Sequence, residues 1–278
     1  MPSPVHIITP QPGQLRQNYV IALLAEYWKA WGHPVCCGPL EVLESGVGIM
    51  HVNLTKVAAH HIPATPDQHP LLNRHVLDIS KSSFSTLRLQ PESAWKGPVI
   101  VKSDLNYFGN PEKTRHREGR LEQVQRLLAR KSWKLAHRLP SNDYPVLADI
   151  NKVPGWVWRR QDLIVERFLP ERIGDSYSIR GWLFFGERGY AYRLYSRSPV
   201  VKAGNITHFD ILDDVPEELH SFRRQHGFDF GKFDYVEVEG RAVLLDLNKT
   251  PTTVAKSDSP RLRDLAEGLY DFPGMGKC

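Results

Sequence analysis

Phe233-Asp-Tyr-Val-Glu-Val-Glu-Gly-Arg-Ala-Val-Leu-Leu-Asp-Leu-Asn-Lys-Thr-Pro251 reads as a strand, a glycine-containing turn and a second strand. It sets Asp234 on the first strand and Asp246 and Asn248 on the second. Side chains alternate faces along a strand, so Asp246 and Asn248 share one face. Oxygen donors in this pattern suit Mg2+, a hard cation usually held by one or two carboxylates together with substrate phosphates. Register decides whether the donors meet. A two-residue turn at Glu239-Gly240 pairs 238 with 241 and sends Asp234 to the face opposite Asp246, and a one-residue change reverses that. A metal site therefore calls for an odd-length loop, for example three residues with Gly240 in the left-handed conformation. The alternative is an ordinary hairpin with surface carboxylates.

The rest of the chain bounds the possibilities. Its 278 residues are enough for one large domain or two small ones. Hydrophobic and charged fractions of 41% and 24% are ordinary for a globular protein. No apolar run approaches the ~18 residues of a membrane helix, and no membrane partner is expected. The opening Met1-Pro-Ser-Pro-Val-His-Ile-Ile lacks the pattern of a secretory signal. Cys36, Cys37 and Cys278 do not make a disulfide framework. A reducing cytoplasm is the expected setting. A net charge of +5 suits anionic ligands in general.

Residues 5–9 read as a strand, and 14–31 as an amphipathic helix stopped by Gly32. Val35–Cys37 and Gly48–Leu54 read as further strands. Strands alternating with a helix suggest a parallel α/β unit of about 75 residues. Pro10-Gln-Pro-Gly-Gln lacks the G-x-G-x-x-G pattern of a phosphate loop. Residues 60–70 read as a linker, and 141–155 as an irregular passage before Trp156 and Trp158. These tryptophans either stack on substrate or pack in the core. Lys113 to Arg138 reads as a basic helix with Leu121, Val124, Leu127 and Leu128 on one face. Arg261 to Tyr270 reads as a last helix, and 274–278 as a frayed end.

Four further stretches accompany the hairpin in a particular order. Gly97-Pro-Val-Ile-Val-Lys-Ser-Asp-Leu-Asn-Tyr-Phe-Gly109 is an apolar strand ending in Lys102, then a loop. Leu163-Ile-Val-Glu-Arg-Phe-Leu-Pro-Glu171 is a strand closed by Pro170. Tyr177-Ser-Ile-Arg-Gly-Trp-Leu-Phe-Phe-Gly186 and Gly189-Tyr-Ala-Tyr-Arg-Leu-Tyr-Ser-Arg197 are two alternating strands around a turn. In this order, and ending in Asp246-Leu-Asn248, the chain resembles the ATP-grasp superfamily over residues 75 to 255. Asp246 departs from the commoner Glu at its place.

The resemblance implies an α/β fold of ATP-grasp type, with a Rossmann-like lobe over 1–75 and a nucleotide-binding, catalytic region over 76–278. That region would divide into a lysine-bearing part, 76–165, and a metal-binding part, 166–278. The resemblance assigns Lys102 and Lys81 to the phosphates of ATP, and the loop after Lys102 to a lid. Backbone groups of Arg167, Phe168 and Leu169 would receive adenine, with Glu166 in support and Glu171 on the ribose hydroxyls. Arg180 and Lys232 would stabilise the charged reaction centre. Arg193 and Lys202 would face phosphate or substrate carboxylate. Asp234, Asp246 and Asn248 would hold Mg2+, or Mn2+ in its place.

The implied chemistry is a ligase that joins a carboxylate to an amine, from small molecules or peptides, through an acyl phosphate. A small-molecule kinase on the same scaffold, and a non-catalytic protein binding nucleotide or nucleic acid, are the alternatives. Nucleic acid is not the expected partner of the ligase. Oligomeric state is left open, with a homodimer the commonest assembly.

Overall fold

The computed structural model describes residues 2–67, 69–113, 119–140, 143–253 and 258–276. The chain runs β1 (Val5–Ile8), α1 (Val20–Ala30), β2 (Val35–Gly38), β3 (Val47–Met50), β4 (Leu71–Leu72), α2 (Lys81–Phe84) and β5 (Val99–Ser103). Then come α3 (Asn110–Lys113), α4 (Arg120–Ala136), β6 (Val146–Leu147), α5 (Gly155–Trp158), β7 (Leu163–Arg167) and β8 (Glu171–Ile173). The last part is β9 (Ser176–Phe185), β10 (Arg188–Ser196), β11 (Ile206–Leu212), α6 (Glu217–Gln225), β12 (Phe230–Val238), β13 (Arg241–Asn248) and α7 (Pro260–Glu267). No helix among the described residues is long and apolar enough to cross a membrane.

Three sheets result. The first is parallel, in the order β2-β1-β3-β4. β1, β3 and β4 are short, mostly buried runs while Cys36 and Cys37 of β2 are exposed, and Trp28 of α1 is fully buried and donates Nε1–H to the Ala266 carbonyl at 2.9 Å. This core also takes in Leu262, Leu265 and Leu269 from the C-terminal segment and Phe185 and Phe230 from the last sheet. The helix expected over 14–31 begins only at Val20. Tyr19 is extended and bridges Thr252, and the Val20 amide donates to the Pro251 carbonyl. Tertiary pairing therefore holds 10–19 open as a loop.

The second sheet is antiparallel, β6-β5-β7, over a core of Val99, Val101, Val165 and Trp156. Trp158 packs against the same cluster, so the tryptophan pair takes the core reading. Because β7 pairs with β5, a division at 165/166 falls inside a strand, and the sheet ends at Arg167. The basic helix appears as α4. Its Leu127 and Leu128 are more than half exposed, so they do not form a buried stripe, and the side chains of Leu121 and Val124 lie outside the described residues.

The third sheet runs β11-β10-β9-β12-β13, with β8 added against β9. One of its faces carries Trp182, Phe184, Phe233, Tyr235 and Leu247 into an apolar cluster. The turn between β12 and β13 has two residues, with Val238 opposite Arg241 and positive φ at both Glu239 (51°) and Gly240 (74°). That is the primed geometry whose twist matches the flanking strands. The expected odd-length loop is therefore absent. The odd residue lies in β13: Tyr235 faces Leu244 and Asp234 faces Asp246, leaving Leu245 as a bulge. The bulge reverses the parity of the strand and brings both carboxylates to one face.

Candidate functional site

The bulged register lines up four groups. Lys232 stands opposite Asn248, and Asp234 opposite Asp246, all on the face turned from the aromatic cluster. Lys232 Nζ lies 2.8 Å from Asp234. Asn248 Oδ1 accepts from the Thr250 amide, and Thr250 Oγ1 donates to Asn53 Oδ1 at 3.1 Å. The β13 terminus is thus fastened to the first sheet. Lys81, at the start of α2, reaches across to Asp246 at 2.9 Å with its side chain 4% exposed. Burial works against the Lys81 ammonium, but Asp246 and its acidic surroundings prevail, and its pKa stands above the ordinary lysine value. Lys232 behaves likewise beside Asp234. Burial, with help from the Asp246 charge, pushes the Asp234 carboxyl up despite Lys232. An added cation would favour its ionised form.

Lys102 ends β5 and pairs with Glu166 of β7 at 2.7 Å, with Glu166 1% exposed. The strand register sets this: Lys102 lies opposite Ile164, and Glu166 lies opposite Ile100, so the two charged residues are diagonal neighbours on one face. Beyond β7 the chain turns through Phe168-Leu169-Pro170 toward β8. The Arg167 and Phe168 amides donate to the carbonyls of Leu87 and Pro98. The Leu169 amide makes no hydrogen bond within the described chain.

These groups share one cavity of about 1040 Å³. It is lined by Arg167, Phe168 and Leu169 at the hinge and by Lys81, Lys102, Asp234, Asp246 and Asn248 further in. Lys202 lines it from the loop between β10 and β11, paired with Asp143 at 2.5 Å. Glu166 supports Lys102 from behind the wall, and Lys232 supports Asp234 in the same way.

Arg180, Arg193 and Glu171 are not brought to this cavity. Gly181 is the β9 residue opposite Asp234, whereas Arg180 is one residue out of phase, opposite Tyr235 and Arg193. Both arginines therefore point to the other face of the sheet. There Glu171, 8% exposed, accepts from Arg180 Nη2 at 2.8 Å and from the Glu237 amide at 2.9 Å. Glu237 pairs with Arg180, and Arg193 Nε lies 3.6 Å from Glu171. The oxygens of Glu171 are committed to this cluster rather than to a ribose. Gly181 has its own reason to be glycine: a Cβ there would lie 2.4 Å from Tyr192 Cζ.

The cavity also contains residues that the motifs did not point to. At its first-sheet end are Gln11, Gln14, Arg16 and Asn18, from the loop after β1, and His51 and Asn53 after β3. These are the carboxyl ends of adjacent parallel strands whose connections leave in opposite directions, where open α/β sheets characteristically bind ligands. His51 is 3% exposed with neither ring nitrogen bonded, and burial pushes its pKa down to about 3. Tyr144 lines the wall near Lys81, with burial pushing its phenol up to about 12. Only the crossover order, a weak signal, marks the loop after β1 beforehand. Nothing local marks Tyr144.

The donor set fits a hard cation. Two carboxylates face each other, an amide oxygen stands one pair along, and Lys81 and Lys232 flank them. Among the described residues no cluster of three or more His, Cys, Asp or Glu gathers.

No protein-family model matches the sequence, and no curated protein does. Solved structures do. The chain is similar to macrocyclase MdnC from Microcystis aeruginosa MRC, bound with precursor peptide MdnA. The TM-score is 0.52, with 11% identity, over 96% of this chain and 99% of that one. It is also similar to the ATP-grasp ligase PsnB complexed with minimal precursor, with a TM-score of 0.55, 10% identity, and coverage of 97% and 99%. The fold is that of the ATP-grasp superfamily, of α/β class with several sheets.

Proposed function

We propose that the chain is an ATP- and Mg2+-dependent ligase that joins a carboxylate to an amine through an acyl phosphate. The observation that carries this reading is the convergence of Lys81, Lys102, Asp234, Asp246 and Asn248 on one cavity that begins at the Phe168-Leu169 hinge. Adenine sits at the hinge, with the Leu169 amide as donor. Lys81 and Lys102 hold the phosphates as fixed charges. Asp234, Asp246 and Asn248 hold Mg2+, or Mn2+ in its place, which when bound neutralises charge on the transferring phosphoryl group.

The substrate carboxylate enters from the first-sheet end, where Arg16 offers a guanidinium and His51 an unused ring nitrogen. Its oxygen attacks the γ-phosphorus, the bond from that phosphorus to the β,γ-bridging oxygen breaks, and ADP leaves. An amine then attacks the acyl carbon, phosphate departs, and the amine loses a proton. Lys232, outside the cavity lining, holds the Asp234 carboxylate in place and reaches the reaction centre only through it. Tyr107 and Phe108, in the loop after β5, line the cavity and exclude water that would hydrolyse the acyl phosphate. That MdnC was solved bound with a precursor peptide, and PsnB complexed with minimal precursor, supports a peptide as one substrate.

The test is ADP release with Mg2+ on a panel of peptides and small carboxylates, with and without amines, and with hydroxylamine to trap acyl phosphate as hydroxamate. Hydroxamate formation dependent on Asp246 is the expected result. A stable phosphorylated product without hydroxamate would make the chain a kinase. Absence of ADP in every mixture would leave a nucleotide-binding protein without turnover.

A further inference from the structure

Tyr144 lies in the passage between α4 and β6 that sequence periodicity left irregular, yet three contacts fix it over the cleft. Its ring stacks on Phe108 at a centroid distance of 4.3 Å and an interplanar angle of 24°. Its neighbour Asp143 is ion-paired to Lys202, in the loop between β10 and β11. Pro145, on its other side, accepts from the Val101 amide of β5. Tyr144 lines the cavity, close enough to Lys81, Asp246 and Glu166 to feel all three charges. Its hydroxyl makes no hydrogen bond within the described chain.

A partly buried phenol with a free O–H, held beside the lysine and the carboxylate of the phosphate end, has one chemical use there: donation to an anionic oxygen. The neighbouring carboxylate, Asp246, is already engaged by Lys81. Phe108 belongs to a short stretch in which both Tyr107 (φ 45°) and Phe108 (φ 58°) are left-handed. Such a conformation is strained for a non-glycine residue and persists only where surrounding contacts impose it. The Phe108–Tyr144 stack is one such contact, and it ties the loop to the hydroxyl.

We propose that Tyr144 donates its hydroxyl to the terminal phosphoryl group of the bound nucleotide, and that Phe108 positions it for this from the covering loop. The proposal rests on the nucleotide reading above and adds a residue to it. It predicts discrimination between nucleotides that carry and lack a γ-phosphate, independent of the unidentified carboxylate and amine.

The experiment titrates wild type, Tyr144→Phe and Phe108→Ala with the β,γ-imido analogue of ATP and with ADP, each with Mg2+, by calorimetry. One hydrogen bond to a charged group is worth about tenfold in affinity. Tyr144→Phe should weaken the imido analogue by about that factor and leave ADP within about twofold. Phe108→Ala should weaken the analogue in the same selective sense, while keeping the hydroxyl. Equal effects on both nucleotides, or none on either, would overturn the proposal while leaving nucleotide binding intact. A Tyr144→Phe variant with a lowered melting temperature and uniformly weak binding would show a packing role and overturn it as well. If wild type binds neither nucleotide, the nucleotide reading itself falls, and the proposal with it.

Discussion

Deleting Leu245 should leave the cation site working, although it removes a residue from the most informative strand of the chain. In β13 Leu245 is the extra residue: Leu244 already faces Tyr235, and Asp246 already faces Asp234. Removing it leaves a regular two-residue hairpin in which Asp246 still follows Leu244 and still opposes Asp234. The competing outcome is a slip that keeps the bulge elsewhere and carries Asp246 and Asn248 to the opposite face. There they would meet Phe233 and Tyr235, both buried, while Leu247 would be turned out of the apolar cluster. An ionised carboxylate in such surroundings costs several kcal/mol, of order 3–5 when its partner is lost. The slip therefore loses to the regular register.

Leu245 does line the cavity, so the deletion removes part of one wall. One or two methylenes of lost contact, at about 0.8 kcal/mol each, correspond to roughly tenfold in affinity. Binding of the β,γ-imido analogue with Mg2+, measured by calorimetry, should thus weaken by no more than about tenfold. Asp246→Ala, which removes one of the two opposed carboxylates, should weaken it by about a hundredfold or more. A deletion variant as weak as Asp246→Ala would refute the register argument and the cation site built on it.

Three other outcomes follow from the charges. Lys102→Ala strips the partner from Glu166, which is 1% exposed, and should cost about 3 kcal/mol by urea unfolding in addition to weakened nucleotide binding; an unchanged midpoint would mean the pair is not formed. Arg180→Ala should lower stability by about 2–4 kcal/mol by opening the Glu171–Arg180–Glu237 cluster, with Mg2+-nucleotide affinity held within about fivefold; the reverse pattern would place Arg180 back in the cleft. His51 is held near pKa 3 when folded and returns to about 6.5 when unfolded, so the unfolded chain binds the extra proton below about 6.5. Stability is then greatest above that value and falls with acidification toward 3, by about 1.4 kcal/mol per unit, or roughly 2 kcal/mol on going from pH 7.5 to 5.0. His51→Gln should lose that much less over the same interval in urea unfolding, and equal losses in the two proteins would contradict it.

The hairpin was legible because its signals are local: two β-rich runs, a glycine turn and oxygen donors two residues apart. The same local reading located the extra residue in the loop. A bulge has no signature of its own in Leu244-Leu245, since either leucine suits a half-buried strand. Lys102 was legible because a charged residue ending an apolar strand stands out, whereas Lys81 came only from the family resemblance; both line the cavity. Arg180 and Arg193 were not, because chemistry names a residue type while strand parity names its direction. Gly181 and Arg180 are adjacent, and only the register against β12 tells which of them faces Asp234. Helix α1 starts five to six residues later than its periodicity suggests, because Tyr19 and Val20 are captured by the chain at 251–252, a contact some 230 residues distant.

Parity also explains how one sheet carries two charge systems without interference. On the cleft face, Lys81 and Lys232 are paired with Asp246 and Asp234, carboxylates that a divalent ion would recruit. On the far face, Glu171 and Glu237 neutralise Arg180, with Arg193 close by, beside a separate groove lined by Glu171 and Glu237. Glu171 begins β8, directly after the Phe168-Leu169-Pro170 hinge. The far-face cluster therefore anchors the exit of the hinge to β9 and β12, the strands that carry Gly181 and Asp234. Mutating it should disturb the spacing between the Phe168-Leu169 end of the cavity and its Asp234 end rather than the charge at either. A variant such as Glu237→Gln, which weakens the anchor without touching the cavity, should then raise the dissociation constants of ADP and the imido analogue by the same factor. Selective loss of the imido analogue would instead assign the cluster to the phosphates.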